Sequence, residues 1–201
     1  MLHTILPTQM QAAEQTAFAA GLSPLLTMET AARAAFDVLL DLLGCDCRGK
    51  NVLFLCGPGN NGGDGLVMAR LLLQARGFAR IILLDTPKTA EAQINLRHLQ
   101  AMGADIEAVP DELLEDEYDA VVDALFGTGF TGSIAADSPA GRLLTWANTC
   151  GPMLSIDVPS GMDAATGAVE GVCAQAIWTV TFHRPKPGLY LTERRDCVGE
   201  I

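Results

Sequence analysis

Asn51-Val-Leu-Phe-Leu-Cys-Gly-Pro-Gly-Asn-Asn-Gly-Gly-Asp-Gly65 decides how this chain is read. Asn51 to Cys56 is a short apolar run of the kind that forms a buried strand. It stops at Gly57, eight residues of turn chemistry follow, and Leu66-Val-Met-Ala-Arg-Leu-Leu-Leu73 starts a helix. A strand, a glycine-rich turn and a helix can hold an anion on backbone N–H groups at the helix N-terminus. Glycines permit positive φ and let a ligand come close. Asn60, Asn61 and Asp64 are more than the turn requires, and they add oxygen ligands and hydrogen-bonding groups on the same side.

Outward from this stretch the pattern alternates. Strands read at 51–56, 80–85, 104–109, 119–125, 152–157 and 176–182, and helices at 64–77, 89–102 and 139–149. Apolar runs separated by helical segments predict a parallel sheet covered on both faces. The expected fold is a Rossmann-like, three-layer α/β/α sandwich with a mostly parallel, doubly wound sheet. It forms a single domain over residues 1–201, with the core at 50–201 and an N-terminal helical arm at 1–49. Within the arm, residues 8–21 read as a helix with Thr8 as a cap and Gly21 as its stop. Residues 23–43 read as a second helix, with Pro24 in its first turn and Leu26, Met28, Ala32, Phe36, Leu39, Leu40 and Leu43 at helical spacing. The arm lies on the sheet or makes a dimer contact. The chain stops at Ile201 where another strand is about to begin, as in a trimmed chain or one domain of a longer protein.

Composition narrows the function classes. The net charge of −11 argues against a nucleic-acid surface, but not against a phosphate-bearing small molecule held by backbone amides. Although 49% of the residues are hydrophobic, no run approaches a membrane span, and the start lacks the pattern of a signal peptide. The six cysteines sit mostly inside apolar runs, which fits reduced thiols in a cytoplasmic protein. Cys45-Asp-Cys47 has the wrong spacing for a zinc knuckle.

In such a fold ligands sit beyond the carboxyl ends of the strands. The predicted strand ends deliver Gly57 to Gly65, then Asp123 followed by Gly127-Thr-Gly-Phe-Thr-Gly-Ser133, then Asp157-Val-Pro-Ser-Gly161. Gly57, Gly59, Gly62 and Gly127, Gly129, Gly132 each match G-x-G-x-x-G, and Asp85 stands where a ribose-binding acid would. A dehydrogenase would explain those matches. Pro58 counts against it, because proline offers no N–H to a pyrophosphate, and so does the lack of a second domain. Asp123 lies among apolar residues and needs a partner. Either a cation shared with Asn61 and a hydroxyl such as Ser160, or backbone N–H groups, would serve. One carboxylate among neutral oxygens suits a monovalent ion better than Mg²⁺. Asp157 is a candidate acid or base, an acceptor for a ligand hydroxyl, or a cap for the next turn. Asp64 binds ligand or caps the helix beginning near Gly65, and Lys186, between two prolines, is a ligand contact or a solvated loop residue. Neither a G-x-S-x-G elbow nor a P-loop lysine is present, and His3, His98 and His183 show no ligand spacing.

Together these residues resemble the YjeF N-terminal domain, the NAD(P)H-hydrate epimerases. The resemblance is carried by Gly57–Gly65, Asp123-Ala-Leu-Phe-Gly-Thr-Gly129, Asp157-Val-Pro-Ser-Gly161 and Thr27-Met-Glu-Thr-Ala-Ala32, with Ala32 where the family has glycine. Thr181-Phe182 and Pro185-Lys-Pro-Gly-Leu189 match its last motif, so the similarity runs from about residue 10 to the end. It implies a repair isomerase that interconverts the R and S epimers of NADH or NADPH hydrated at nicotinamide C6, for a separate dehydratase to restore. It also implies substrate contacts from Asn60, Asn61, Gly62, Gly63, Asp64, Gly127, Thr128, Gly129, Phe130, Thr131, Gly132, Ser133 and Asp157. A potassium ion at Asn61, Asp123 and Ser160, and a homodimer formed through the N-terminal helices, belong to the same expectation. No organic cofactor is implied, since the dinucleotide is the substrate, and ATP-dependent dehydration is not expected from this chain. Proton transfer near C6 is assigned to Asp157, with Asp64 as second choice. The competing class is a non-catalytic scaffold that dimerises and binds nucleotides; retention of Asn61, Asp64, Asp123 and Asp157 favours catalysis.

Overall fold

The structure, a computed structural model, describes residues 3–113 and 116–201. Its sheet contains β1 (Asn51–Cys56), β2 (Phe78–Leu83), β3 (Asp105–Ala108), β4 (Ala120–Ala124), β5 (Met153–Ile156) and β6 (Trp178–Val180). The order is β3-β2-β1-β4-β5-β6, and every neighbouring pair is parallel. β1 and β4 are almost wholly buried, which is why their sequences read as unbroken apolar runs.

The helices are α1 (Pro7–Ala19), α2 (Pro24–Leu42), α3 (Asn60–Gln74), α4 (Ala90–Ala101), α5 (Pro139–Ala147) and a short α6 (Gly188–Leu191). α2, α3 and α4 pack on the sheet face carrying Val52, Phe54, Ile81 and Val122, while α5 covers the face carrying Leu53, Leu55, Ile82 and Val121. Each such fully buried side chain contributes roughly 2 kcal/mol. The strand order reverses direction between β1 and β4. At that point the loops after the two strands splay to opposite faces and leave a crevice, the place where doubly wound folds take ligands.

Several boundaries differ from the sequence reading. The strand expected at 176–182 shrinks to Trp178–Val180, the stretch in register with Leu154–Ile156, and β5 ends where Asp157 takes a φ of 69°. The cap of α1 is Leu6, not Thr8: Pro7 occupies the first helical position and the Gln9 side chain accepts the Leu6 N–H at 3.1 Å. α2 begins as expected, with Ser23 Oγ accepting the Leu26 N–H at 3.4 Å. Its inner face is Met28, Ala32, Ala35, Phe36 and Leu39, and Leu26 instead points to solvent. The arm therefore divides. α2 is a layer of the sandwich packed on α3, whereas α1 has no buried residue and lies outside the layers.

Candidate active site

α3 opens at Asn60, four residues before the expected start, so Asn60 to Gly65 form its first turns and not a loop. Glycine costs a helix interior about 1 kcal/mol relative to alanine, so three of them need a reason. The reason is contact. A Cβ on Gly62 would lie 1.9 Å from the Gly57 carbonyl oxygen, and one on Gly65 would lie 2.7 Å from the Ala124 Cβ. Gly57 itself presses on β4, where a Cβ would meet the Leu125 carbonyl oxygen at 1.8 Å. None of Gly57, Gly59, Gly62, Gly63 and Gly65 takes a positive φ, so the expected role in turn geometry gives way to close packing. Gly59 is the N-cap and has no side chain to offer the first amides of α3. Asp64 is likewise not a cap. It stands on the inner side of the helix and is buried.

Asp123, fully buried in β4, is ringed by donors. Its Oδ2 accepts the Ser155 hydroxyl at 2.8 Å and the Ser160 N–H at 2.9 Å. Its Oδ1 accepts the Ser160 hydroxyl at 2.6 Å and the Leu125 N–H at 3.3 Å. Burial raises the carboxyl, and these donors oppose the rise without cancelling it. Two hydroxyls and two backbone N–H groups thus partner Asp123. Ser160 Oγ in turn accepts the Phe126 N–H at 2.9 Å, which ties the loop after β4 to the loop after β5.

Gly127 is where the loops meet. A Cβ there would lie 3.2 Å from Asn61 Oδ1 on one side and 3.2 Å from Asp157 Oδ2 on the other. The Thr128 N–H donates to Asp157 Oδ2 at 3.3 Å. Asn61 Nδ2 is buried with no hydrogen-bond partner. Farther along, Phe130 stacks at 5.2 Å from Phe126, while Gly129, Thr131, Gly132 and Ser133 are exposed and form the rim. Asn60 is exposed at the mouth. Asp85 is exposed just past the end of β2 and pairs with Lys88 at 2.9 Å.

The residue that the sequence leaves undecided is Lys186. It is 1% exposed, and its ammonium pairs with Asp157 Oδ1 while donating to Thr181 Oγ1 at 3.1 Å and the Phe182 carbonyl at 3.0 Å. Its place between Pro185 and Pro187, within the Pro185–Leu189 segment that matches the last motif of the resemblance, is the signal the sequence gives for it. Asp64, close by, receives no hydrogen bond among the described residues. Burial pushes its carboxyl well above the usual carboxylate range, and the nearby charges of Asp157 and Glu14 push it further. The crevice therefore holds two carboxyl groups in opposite settings: Asp157 paired with a buried lysine, and Asp64 unpaired and driven toward its neutral form.

A doubly wound domain whose acids, amides and glycines gather at the reversal of strand order belongs to the Rossmann-like class. A family model described as YjeF-related protein N-terminus matches residues 26–188, and the chain belongs to that family. The NAD(P)H-hydrate epimerase of Nitrosopumilus maritimus is 36% identical over 180 residues, covering 87% of this chain and 81% of the relative. The bifunctional NAD(P)H-hydrate repair enzyme Nnr of Moorella thermoacetica is 38% identical over 161 residues, and that of Methanothermobacter thermautotrophicus 38% identical over 206. The chain spans 30% and 38% of the length of these two relatives. The crystal structure of yeast ynu0 shares the fold, with a TM-score of 0.80 at 20% identity over 97% of this chain and 86% of that one.

Proposed function

We propose that the chain epimerises the R and S forms of hydrated NADH and NADPH at nicotinamide C6, upstream of a separate dehydratase. The observation that carries this reading is the pairing of Asp157 with Lys186 beside an unpartnered, neutral-leaning Asp64. C6 carries both the ring nitrogen and the hydroxyl, as in a hemiaminal. The C6–O bond breaks as the ring nitrogen donates its electron pair, and the departing oxygen takes a proton. Water then adds to the other face and gives up a proton. One group must donate and one accept, and two carboxyls held in unlike settings do both. Asp64 is the donor in this scheme and Asp157 the acceptor. The unpartnered first-turn amides of α3 and the Gly127–Ser133 rim are suited to the pyrophosphate.

Potassium belongs to the same proposal. The four acceptor positions of Asp123 are filled by protein donors, so an ion would draw on Asn61 Oδ1, which lies beside Gly127, and on the Ser160 hydroxyl and Phe126 carbonyl. Asp123 would supply its negative charge from directly behind Ser160. Neutral oxygens backed by one carboxylate fit a monovalent ion. A homodimer and a reducing, cytoplasmic setting complete the proposal, the latter resting on six free cysteines.

The experiment is to add the protein to hydrated NADH and follow exchange of the epimers by chromatography. The expected result is exchange well above the uncatalysed rate, reduced about a hundredfold or more in Asp157→Asn and in Asp64→Asn. A folded protein that leaves the uncatalysed rate unchanged would transfer the reading to the scaffold class.

A further inference from the structure

α1 presents one face to the rest of the molecule. Pro7, Met10, Glu14, Ala17 and Phe18 are half-buried along it while their neighbours are exposed, so a single charged residue stands in the middle of an otherwise apolar stripe. The spacing is that of one helix face. The chain entering α1 is fastened beside the site, since the Ile5 N–H donates to the Pro185 carbonyl at 3.0 Å, next to Lys186. Glu14 consequently lies within electrostatic reach of Asp157, Lys186 and His183, and it also acts on Asp64. Its carboxyl accepts no hydrogen bond among the described residues, and the same holds for the buried Asp64. A half-buried carboxyl without a partner is costly to hold in place, and an inward position on a helix would otherwise take an apolar residue.

We propose that Glu14 is a substrate-binding residue of this site, supplied by a helix outside the α/β layers that closes over the bound ligand. The inference rests on the epimerase reading for the identity of the ligand. Glu14 and Asp157 share the single ammonium of Lys186, and Asp64 beside them offers no positive charge, so this end of the crevice disfavours phosphate and takes the nicotinamide half of the dinucleotide. There Glu14 accepts a hydrogen bond from a neutral donor, a ring hydroxyl or the carboxamide N–H₂. α1 has no buried residue, which places it among the elements that open at low free-energy cost. It is therefore able to let the ligand in and then settle on it.

The test joins two measurements on the full chain. Amide hydrogen exchange across residues 8–19 is compared with and without hydrated NADH, and steady-state epimerisation is measured for Glu14→Ala, Glu14→Gln and the outward-facing control Gln15→Ala. The expected results are slower exchange of α1 with ligand and a KM about tenfold higher in Glu14→Ala at nearly unchanged kcat, as for loss of one hydrogen bond to a charged group. Glu14→Gln, which keeps an acceptor oxygen, should lose less, and Gln15→Ala should lose nothing. Unchanged KM in both Glu14 variants, or equal loss in the control, overturns the role of Glu14 while leaving the reaction intact. If the native protein does not epimerise, the functional reading fails. The exchange measurement, repeated with NADH as probe, then decides by itself: unprotected α1 amides overturn closure, and protected ones sustain it.

Discussion

The Lys186 ammonium is buried against the Asp157 carboxylate, and Thr181 and the Phe182 carbonyl take up its remaining protons. This pair fixes both the position of the acid at the end of β5 and the course of the loop that follows β6. Removing one partner strands the other charge in a poorly solvated site. Lys186→Met should cost about 3 kcal/mol in urea denaturation. Asp157→Asn with Lys186→Met should cost clearly less than the sum of the single changes, since the double variant leaves no charge unpaired. Epimerisation should stay lost in the double variant, which separates the structural share of the pair from its chemical one.

Asp64 predicts a dependence of stability on pH. Its carboxyl is raised in the folded protein relative to the unfolded chain. Below the unfolded carboxylate pKa both states are protonated and its contribution is fully present. As pH rises, the unfolded chain releases its proton first, and stability falls until the folded Asp64 ionises. Asp64→Asn removes this loss. The variant should gain stability over the native protein at pH 8 and little or none at pH 4, read as the difference in Tm at the two pH values. An identical pH profile in the two proteins would contradict the neutral Asp64.

Two adjacent glycines of α3 should respond in opposite ways to alanine. At Gly62 the new methyl meets the backbone of Gly57, which is itself wedged against β4, and nothing nearby can yield. About 2 kcal/mol or more should be lost, although alanine is the better helix former. At Gly63 the methyl meets the terminal Cε of Met28 at 2.5 Å and its Sδ at 2.8 Å. A thioether has rotamers to spare, so Gly63→Ala should stay within about 1 kcal/mol of native. Thermal or urea unfolding of the two variants gives the comparison.

A potassium ion held at Asn61 and Ser160 would stabilise the folded chain by mass action. At a free concentration a hundredfold above Kd the gain is about 2.7 kcal/mol, or a Tm rise of roughly 5–11 °C for a domain of this size. The rise is expected in KCl and not in NaCl at equal ionic strength, and it should vanish in Asn61→Ala. Asn61 is the better probe because its Nδ2 has no protein hydrogen bond to lose, whereas altering Asp123 would strand four donors at once.

Much of this was legible in the sequence for a simple reason. Buried parallel strands write themselves as apolar runs, and the residues just past their ends mark the ligand edge, so Asp123, Asp157, Asn61 and Ser160 could be found without coordinates. What was not legible depended on long-range placement. Lys186 is 29 residues from Asp157, and the sequence leaves it as either a ligand contact or a solvated loop lysine until β6 brings it alongside. Glu14 sits in a helix of weak amphipathicity, and only the Ile5–Pro185 contact shows what its inner face covers. The start of α3 was misplaced because a glycine-rich segment looks like a turn. Its neighbours, not its own propensity, make it helical.

That last point bears on how related chains should be told apart. In the first turns of α3, Gly62 and Gly65 answer to their packing on Gly57, Cys56 and Ala124, while Asn61 Nδ2 and the Asp64 carboxyl make no hydrogen bond among the described residues. The two sets interleave within six residues but are under separate control. A chain that kept the glycines and lost the amide and the acid would fold as this one does and bind nothing of the same kind. On the proposed reading, the polar letters of this motif, and not its glycines, are the ones that would report on catalysis.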